Sequence, residues 1–231
     1  MAILKRTNGE IIAQDDGKTI RQLVMEHKDD LWRADLHGQD LHGLDLTGGD
    51  LTRADLRDTN LTNANLMLAW LARADLKGAI LEGADMRSAN LRDAGATDAS
   101  FRGTRLDDAD LSFANLEHAD MTRVNLNGAR MEAAVLAGAI LNNANLTDAD
   151  ISGADLSDAN LAGADVEDTD LTDSVLTNAT LRGANLDGAD LTGADLTDCD
   201  LTGVDITGAD LDDATLPAPA PATPDTPGTG I

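Results

Sequence analysis

The sequence predicts a solenoid: a chain that lays down a short extended piece, turns a corner and repeats. Three observations carry that prediction. A Leu or near equivalent stands at every fifth position from Leu36 to Leu216, giving 37 pentapeptides in unbroken register, of which 29 have Leu at the centre. Two residues before the centre, 27 of the 37 positions are Ala. Two residues after it, from position 38 to 213, Gly fills 15 of 36 places, Asp 10 and Asn 3. A helix needs apolar residues at spacings of three and four, and a flat strand needs alternation, so a spacing of five suits neither. Gly, Asp and Asn best tolerate the backbone angles of tight turns. Repetition at a fixed period marks units that are stable only against their neighbours.

The first 30 residues differ in kind. Ala2 to Arg6 and Glu10 to Ala13 flank Thr7-Asn8-Gly9, and Asn-Gly between apolar runs predicts a hairpin. Thr19 with Gln22 three residues later has the form of a capping box. Ile20, Leu23, Val24 and Leu31 then fall on one helical face. A solenoid end exposes unpaired backbone, so residues 1–30 are read as a hairpin-helix cap on the first coil, with a recognition module as the alternative.

From 31 to 216 the units Ala194-Asp195-Leu196 and Ala144-Asn145-Leu146 are typical. They resemble the pentapeptide-repeat family. That resemblance implies an all-β fold, a right-handed quadrilateral parallel β-helix with four pentapeptides per coil. The central Leu and the Ala before it then point inward and the other three residues face solvent. The repeats make a little over nine coils, a rod on the order of 44 Å long at about 4.8 Å per coil. Its Leu stack leaves no obvious internal ligand cavity. Residues 217–231 begin Pro217-Ala218-Pro219-Ala220-Pro221 and are expected to be an extended, disordered tail. The helix by which some family members dimerise has no counterpart, which favours a monomer and leaves a dimer open.

Cys199 is the single cysteine and sits at a small inward position, so it is read as a buried substitute for Ala. Met1 to Arg6 lacks the apolar core of a secretory signal, and no stretch approaches the ~18 apolar residues of a membrane span. A cytoplasmic protein without membrane contact is expected. His27, His37, His42 and His118 form no nucleophile–base set, no loop supplies the oxygens of a metal site, and no Gly-rich phosphate loop opens a helix. The expectation is a non-enzyme with no cofactor and no metal.

Charge is the remaining signal. The net charge is −25. Residues 31–130 hold 16 acids and 11 bases, whereas residues 151–216 hold 16 acids and only Arg182. At 20 residues per coil, Asp150, Asp170, Asp190 and Asp210 form one column, with Asp110 lower and Arg130 interrupting. Asp155 and Asp195 lie on the next face, beside Asp158 and Asp198. Arg33, Arg53 and Arg73 stack in a basic column, and Arg57 and Lys77 in another. This charge disfavours direct nucleic acid binding. The acids either solvate the fold and bond to nearby turns, or imitate a phosphate backbone for a basic partner. The resemblance supplies a candidate for the second case, since some family members mimic B-DNA toward type II topoisomerases, DNA gyrase or topoisomerase IV, and some protect against topoisomerase poisons.

A third feature is apolar. Met67, Leu68 and Trp70 take outward positions, as does Ile80, and adjacent apolar surface residues mark an interaction patch or pack beneath the cap with Trp32. Phe113, His118 and Arg123 break the turn pattern a second time. Val135, Ile140 and Val175 are isolated outward apolar residues. Ala96 at a core centre predicts a local soft spot, partly filled by Phe101. The sequence reading is therefore a protein-binding rod, with the DNA-mimicking modulator as alternative and a structural spacer third.

Overall fold

The computed structural model describes residues 1–218; most of the Pro-rich tail lies outside the described residues. Two antiparallel strands open the chain, β1 (Ala2–Lys5) and β2 (Ile11–Asp15), with Gly9 at φ +89° in the connecting turn. Helix α1 (Ile20–Glu26) follows. Thr19 and Gln22 close a reciprocal capping box at its start, and Leu23 and Val24 are its buried side chains. A 3-10 turn over Lys28–Asp30 leads into the repeats.

The repeats form a parallel β-helix. Residue pairs 20 apart are bridged in parallel from Asp35↔Asp55 to Asp195↔Thr215, so each coil takes four pentapeptides. The central Leu side chains and the Ala two residues before them are buried from Ala34 to Leu196. Full burial of each Leu stabilises by about 1.5–3 kcal/mol, repeated at every corner-to-corner segment. Each centre is the first residue of a four-residue turn, as where the N–H of Gln39 donates to the carbonyl of Leu36 at 3.0 Å. The third residue of every such turn between 33 and 213 has positive φ, whether it is Gly, Asp, Arg, Leu or Phe. The repeat therefore imposes the left-handed conformation even where the side chain opposes it.

Four of the five backbone N–H groups of a typical pentapeptide bond to backbone. In the unit around Leu171, Leu171 donates to Asp190, Asp173 to Thr192, Ser174 to Leu171, and Asp170 to Ala149. The fifth, on the residue after the centre, has no backbone acceptor. The Asp or Asn before the centre supplies one: Thr172 N–H donates to Asp170 Oδ1 at 2.9 Å, Thr147 N–H to Asn145 Oδ1 at 3.0 Å. The preference for Asp or Asn beside the central Leu thus has a backbone cause.

The N-terminal elements bond to the first coil. Asp35 N–H donates to Lys5 O at 2.8 Å, and Asp50 N–H to Lys28 O at 2.9 Å. At Gly49, which stands where Ala is usual, a Cβ would lie 3.0 Å from the Leu46 carbonyl and 3.2 Å from that of Lys28. Arg6 is nearly buried; its guanidinium pairs with Asp30 at 2.8 Å and lies 5.5 Å from the centre of the Trp32 ring. At the other end, Leu201, Ile206, Leu211 and Leu216 help line an apolar hollow of about 280 Å³, and Ile206 and Leu216 are exposed. Around Ala96 the ladder runs without a break, Ala96 N–H donating to Asn115 O at 2.7 Å, and Phe101 is among the largest fully buried side chains. The expected soft spot is therefore not visible as a gap in the backbone ladder. Among the described residues no helix is long and apolar enough to cross a membrane.

Candidate protein-binding surfaces

The register decides which outward side chains share a surface. Asp110, Arg130, Asp150, Asp170, Asp190 and Asp210 are consecutive partners in one parallel ladder. Each of the last four aspartates also holds a backbone N–H with Oδ1, from Ser152, Thr172, Thr192 and Asp212 at 2.9–3.1 Å. Oδ1 is thus committed to the coil. The adjoining ladder reads Asp155, Val175, Asp195, so Val175 separates the two aspartates expected there. Hydrogen bonds from the side chain and N–H of Thr192 hold the Asp190 carboxyl below the usual aspartate range, and Thr197 does the same for Asp195.

Asp158 and Asp198 stand on an outward corner position with Asn178 between them, all at positive φ. Their carboxylates are exposed and belong to residues that tolerate this conformation.

The apolar patch divides. Met67 and Leu68 form the corner before the face that carries Trp70, and both Leu68 (55% exposed) and Trp70 (59% exposed) stand clear of the N-terminal elements. The hairpin and α1 do not cover Trp70. Ile80 is not part of this patch. It belongs to the ladder Asn60–Ile80–Ser100, half a coil from the ladder Asp50–Trp70–Asn90, because ten residues are two pentapeptides and therefore two faces. Closeness along the chain misassigned it.

The basic columns are placed as the period requires. Arg33, Arg53 and Arg73 occupy equivalent corners of successive coils at φ 56°, 58° and 60°. Arg33 lies 5.3 Å from the Trp32 ring centre, and Arg73 pairs with Asp93 at 3.3 Å. Arg57 is tied to Asp55 at 2.6 Å and Asp75 at 3.5 Å, with Lys77 one coil on. One relation escaped the sequence reading. Arg73 is the corner that closes the Trp70 face, so the basic column and the apolar patch adjoin. The three-residue separation of Trp70 and Arg73 was the available signal. Phe113 lies on that same corner column, with the Arg92 guanidinium 4.6 Å from its ring centre.

Chemistry of other kinds finds little support. Among the described residues no group of three His, Cys, Asp or Glu is arranged to hold a metal ion. His37 bonds to the carbonyl of Arg57 and His42 to Asp40, each a local surface contact. The Cys199 thiol donates to the Leu176 carbonyl, and burial pushes its pKa up to about 11, against thiolate reactivity.

A family model described as pentapeptide repeats matches in eight copies over residues 30–67, 69–108, 104–143, 125–168, 154–193 and 179–216. No curated protein matches the chain. Among solved structures, the chain is similar to HetL, a pentapeptide repeat protein involved in heterocyst differentiation regulation in the cyanobacterium Nostoc sp. strain PCC 7120, at 32% identity over 88% of this chain and 98% of HetL, with a TM-score of 0.53. It is also similar to full-length QnrB1, a plasmid-mediated fluoroquinolone resistance protein, at 21% identity over 77% of this chain and 93% of QnrB1, with a TM-score of 0.50. At that identity the likeness to QnrB1 is one of fold.

Proposed function

The chain belongs to the pentapeptide-repeat family, and from that premise we propose that it is a non-enzymatic rod that works by presenting its surface to a protein partner. No catalytic family is indicated by the matches. The observation that carries the reading is the Met67–Leu68–Trp70 surface. A Trp more than half exposed beside an exposed Leu held at φ 57° is costly in solubility and in backbone strain, and fixed aromatic anchors are what protein interfaces use. The coils beneath supply the rigidity. The hairpin and α1 serve this reading as the cap of the first coil, and a cytoplasmic setting is part of the same proposal.

Co-purification with quantitative mass spectrometry tests it. A stoichiometric partner that is lost from Trp70→Ala and kept by Asp170→Asn with Asp190→Asn supports the reading; partners insensitive to Trp70→Ala overturn it.

A second reading has its own observation. Residues 151–216 carry 16 acids and one base. Over three to four coils of roughly 4.8 Å that is on the order of one net charge per Å, denser than the roughly one per 1.7 Å of B-DNA. A rod of that line charge suits a DNA-binding saddle, and a B-DNA-mimicking modulator of DNA gyrase or topoisomerase IV is the alternative. This reading rests on charge, since the likeness to QnrB1 shows fold alone. Supercoiling by gyrase, with and without a quinolone-type poison and across a salt series, tests it. Inhibition or protection that weakens with salt and with Asp170→Asn/Asp190→Asn supports mimicry; no effect at a large excess of rod excludes it for gyrase.

A further inference from the structure

The Trp70 surface does not end at the apolar residues. Leu68 forms the corner before Trp70 and Arg73 the corner after it. On the Arg73 corner, Arg53 stands one coil below, Asp93 one coil above and Phe113 a coil beyond that, with Arg92 next to Asp93. We propose that this strip, Arg53, Leu68, Trp70, Arg73, Arg92 and Phe113, is a docking site for an acidic segment of a partner protein that carries an aromatic or large apolar side chain. The proposal rests on the reading of the chain as a protein-binding rod and names the chemistry of the partner.

Three arguments converge on it. The first is exposure: Trp70, Leu68 and Phe113 are 59%, 55% and 43% exposed within little more than two coils, which leaves an apolar anchor site open. The second is backbone cost. Arg53, Leu68, Arg73 and Phe113 all occupy the left-handed corner position, at φ 57–61°, where Gly, Asp or Asn would fit without strain. The fold does not ask for these side chains, so something other than the fold uses them. The third is charge. In a chain of net charge −25 the strip, with the Asp93 that stands in its corner column, holds three guanidiniums and one carboxylate. Among the described residues no carboxylate lies within 4 Å of the Arg53 guanidinium, while Arg73 has only the exposed Asp93. Arg92 lies over the Phe113 ring and 4.0 Å from the Asp110 carboxylate, which leaves Arg53 as the guanidinium of the strip with no acid beside it.

The dimensions suit a short segment. Three coil steps from Arg53 to Phe113 span about 14 Å, the length of four or five extended residues. A nucleic acid backbone would outrun the strip and meet Asp148, Asp150 and Asp170 on the same side, so its phosphates would be repelled within a few coils.

Selection from a displayed random-peptide library on the full-length protein tests the assignment. The expected winners carry Asp or Glu beside Trp, Phe or Leu. Their affinity should fall about thirtyfold on Trp70→Ala, as for an interfacial aromatic anchor. It should fall severalfold on Arg53→Gln with Arg73→Gln and weaken with added salt. None of these substitutions removes a core side chain, and matched melting curves establish that the variants fold. Apolar winners that need Trp70 but carry no acid overturn the acidic assignment and leave the protein-binding reading standing. Basic winners lost only from Asp170→Asn/Asp190→Asn overturn the site in favour of the acidic ladder. An acidic peptide that binds no better than a single-stranded oligonucleotide of equal charge overturns the protein segment as occupant. No enrichment at all overturns this proposal, while co-purification with Trp70 intact and mutated decides the protein-binding reading separately.

Discussion

Replacing Asp170 by Asn and by Ala separates the two things that an aspartate does in the acidic ladder. Its Oδ1 holds the Thr172 N–H at 2.9 Å, and its charge stands between those of Asp150 and Asp190. Ala removes the acceptor and the charge, whereas Asn removes only the charge. Loss of the acceptor compares with loss of a helix N-cap side chain, about 1 kcal/mol. Two like charges at roughly 5 Å repel by about 0.8 kcal/mol in a water-like dielectric and by more where they are half-buried. With a neighbour above and below, relief of that repulsion offsets or exceeds the small weakening of the bond. Asp170→Asn is therefore expected to be neutral or stabilising by about 1 kcal/mol at low salt, an effect that disappears in concentrated salt. Asp170→Ala should sit about 1 kcal/mol below Asn at either salt. Urea unfolding gives the difference in midpoint at constant slope. Amide exchange at Thr172 gives it locally, as roughly fivefold faster exchange in the Ala variant. Equal midpoints and equal Thr172 exchange in the two variants would refute the role given to the side-chain acceptor.

Other outcomes follow from the corners and the last coils. Leu68→Gly should stabilise the protein by about 1 kcal/mol by removing left-handed strain while abolishing peptide binding, and a loss of stability in urea would contradict the strain argument. Gly188→Ala should cost more than Gly153→Ala: both residues lie at positive φ, but only at Gly188 would the new Cβ approach Asp168 Oδ1, so equal melting shifts would speak against a tight column. Cys199 should resist thiol reagents until the coils around it open, and fast labelling in native buffer would contradict a thiol with its pKa raised to about 11. Asp190, Asp195, Asp200 and Asp205 are held below the ordinary aspartate range by the side-chain and N–H hydrogen bonds of the threonine two residues on. A carboxyl depressed in the folded state contributes stability that is complete above the unfolded value, roughly 3.9, and is lost as pH falls through the folded value. Amide protection at Thr202 and Thr207 is therefore expected to fall in acid below that point, and protection that instead rises there would show that relief of charge repulsion dominates.

The coil was legible because every unit repeats the same instruction. The Leu and Ala positions name the inside, and Gly, Asp and Asn two residues past the centre name the corner. Arg53, Leu68 and Phe113 carry no such local signal, yet they take the left-handed corner because neighbouring coils fix it for them. The surface was less legible. Ile80 was grouped with Trp70 from their nearness in the chain, although a separation of ten residues is half a coil. The union of the Trp70 patch with the arginine column was within reach of the same period and was missed, because the two features differ in chemistry. That aspartates bond to nearby turns could be expected from the residue type. That they hold the one N–H in each unit left without a backbone acceptor required the geometry.

This geometry also narrows what the acidity is for. Of the 16 acids in residues 151–216, eight stand before a central residue, as Asp170 does, five stand on left-handed corners, as Asp158 does, and Glu167, Asp187 and Asp212 directly follow a central residue. Asn satisfies the first position equally well, as Asn145 and Asn185 show with Thr147 and Asp187. Gly or Asn serves the second. The fold therefore needs oxygen acceptors and permissive corners, and it does not need the charge. Charge kept for solubility depends on its total, whereas charge kept for a basic partner depends on its place. Asp170→Asn and Asp190→Asn combined with Asn160→Asp and Thr180→Asp hold the net charge constant and move two carboxylates half a coil, into the ladder Ile140–Asn160–Thr180–Asp200. The rearranged rod should remain as soluble as the original. If both rods affect gyrase alike, position carries no information and the ladder from Asp150 to Asp210 is not the binding surface; if neither affects it, DNA mimicry of that enzyme is excluded. If only the original acts, the ladder from Asp150 to Asp210 is a binding surface.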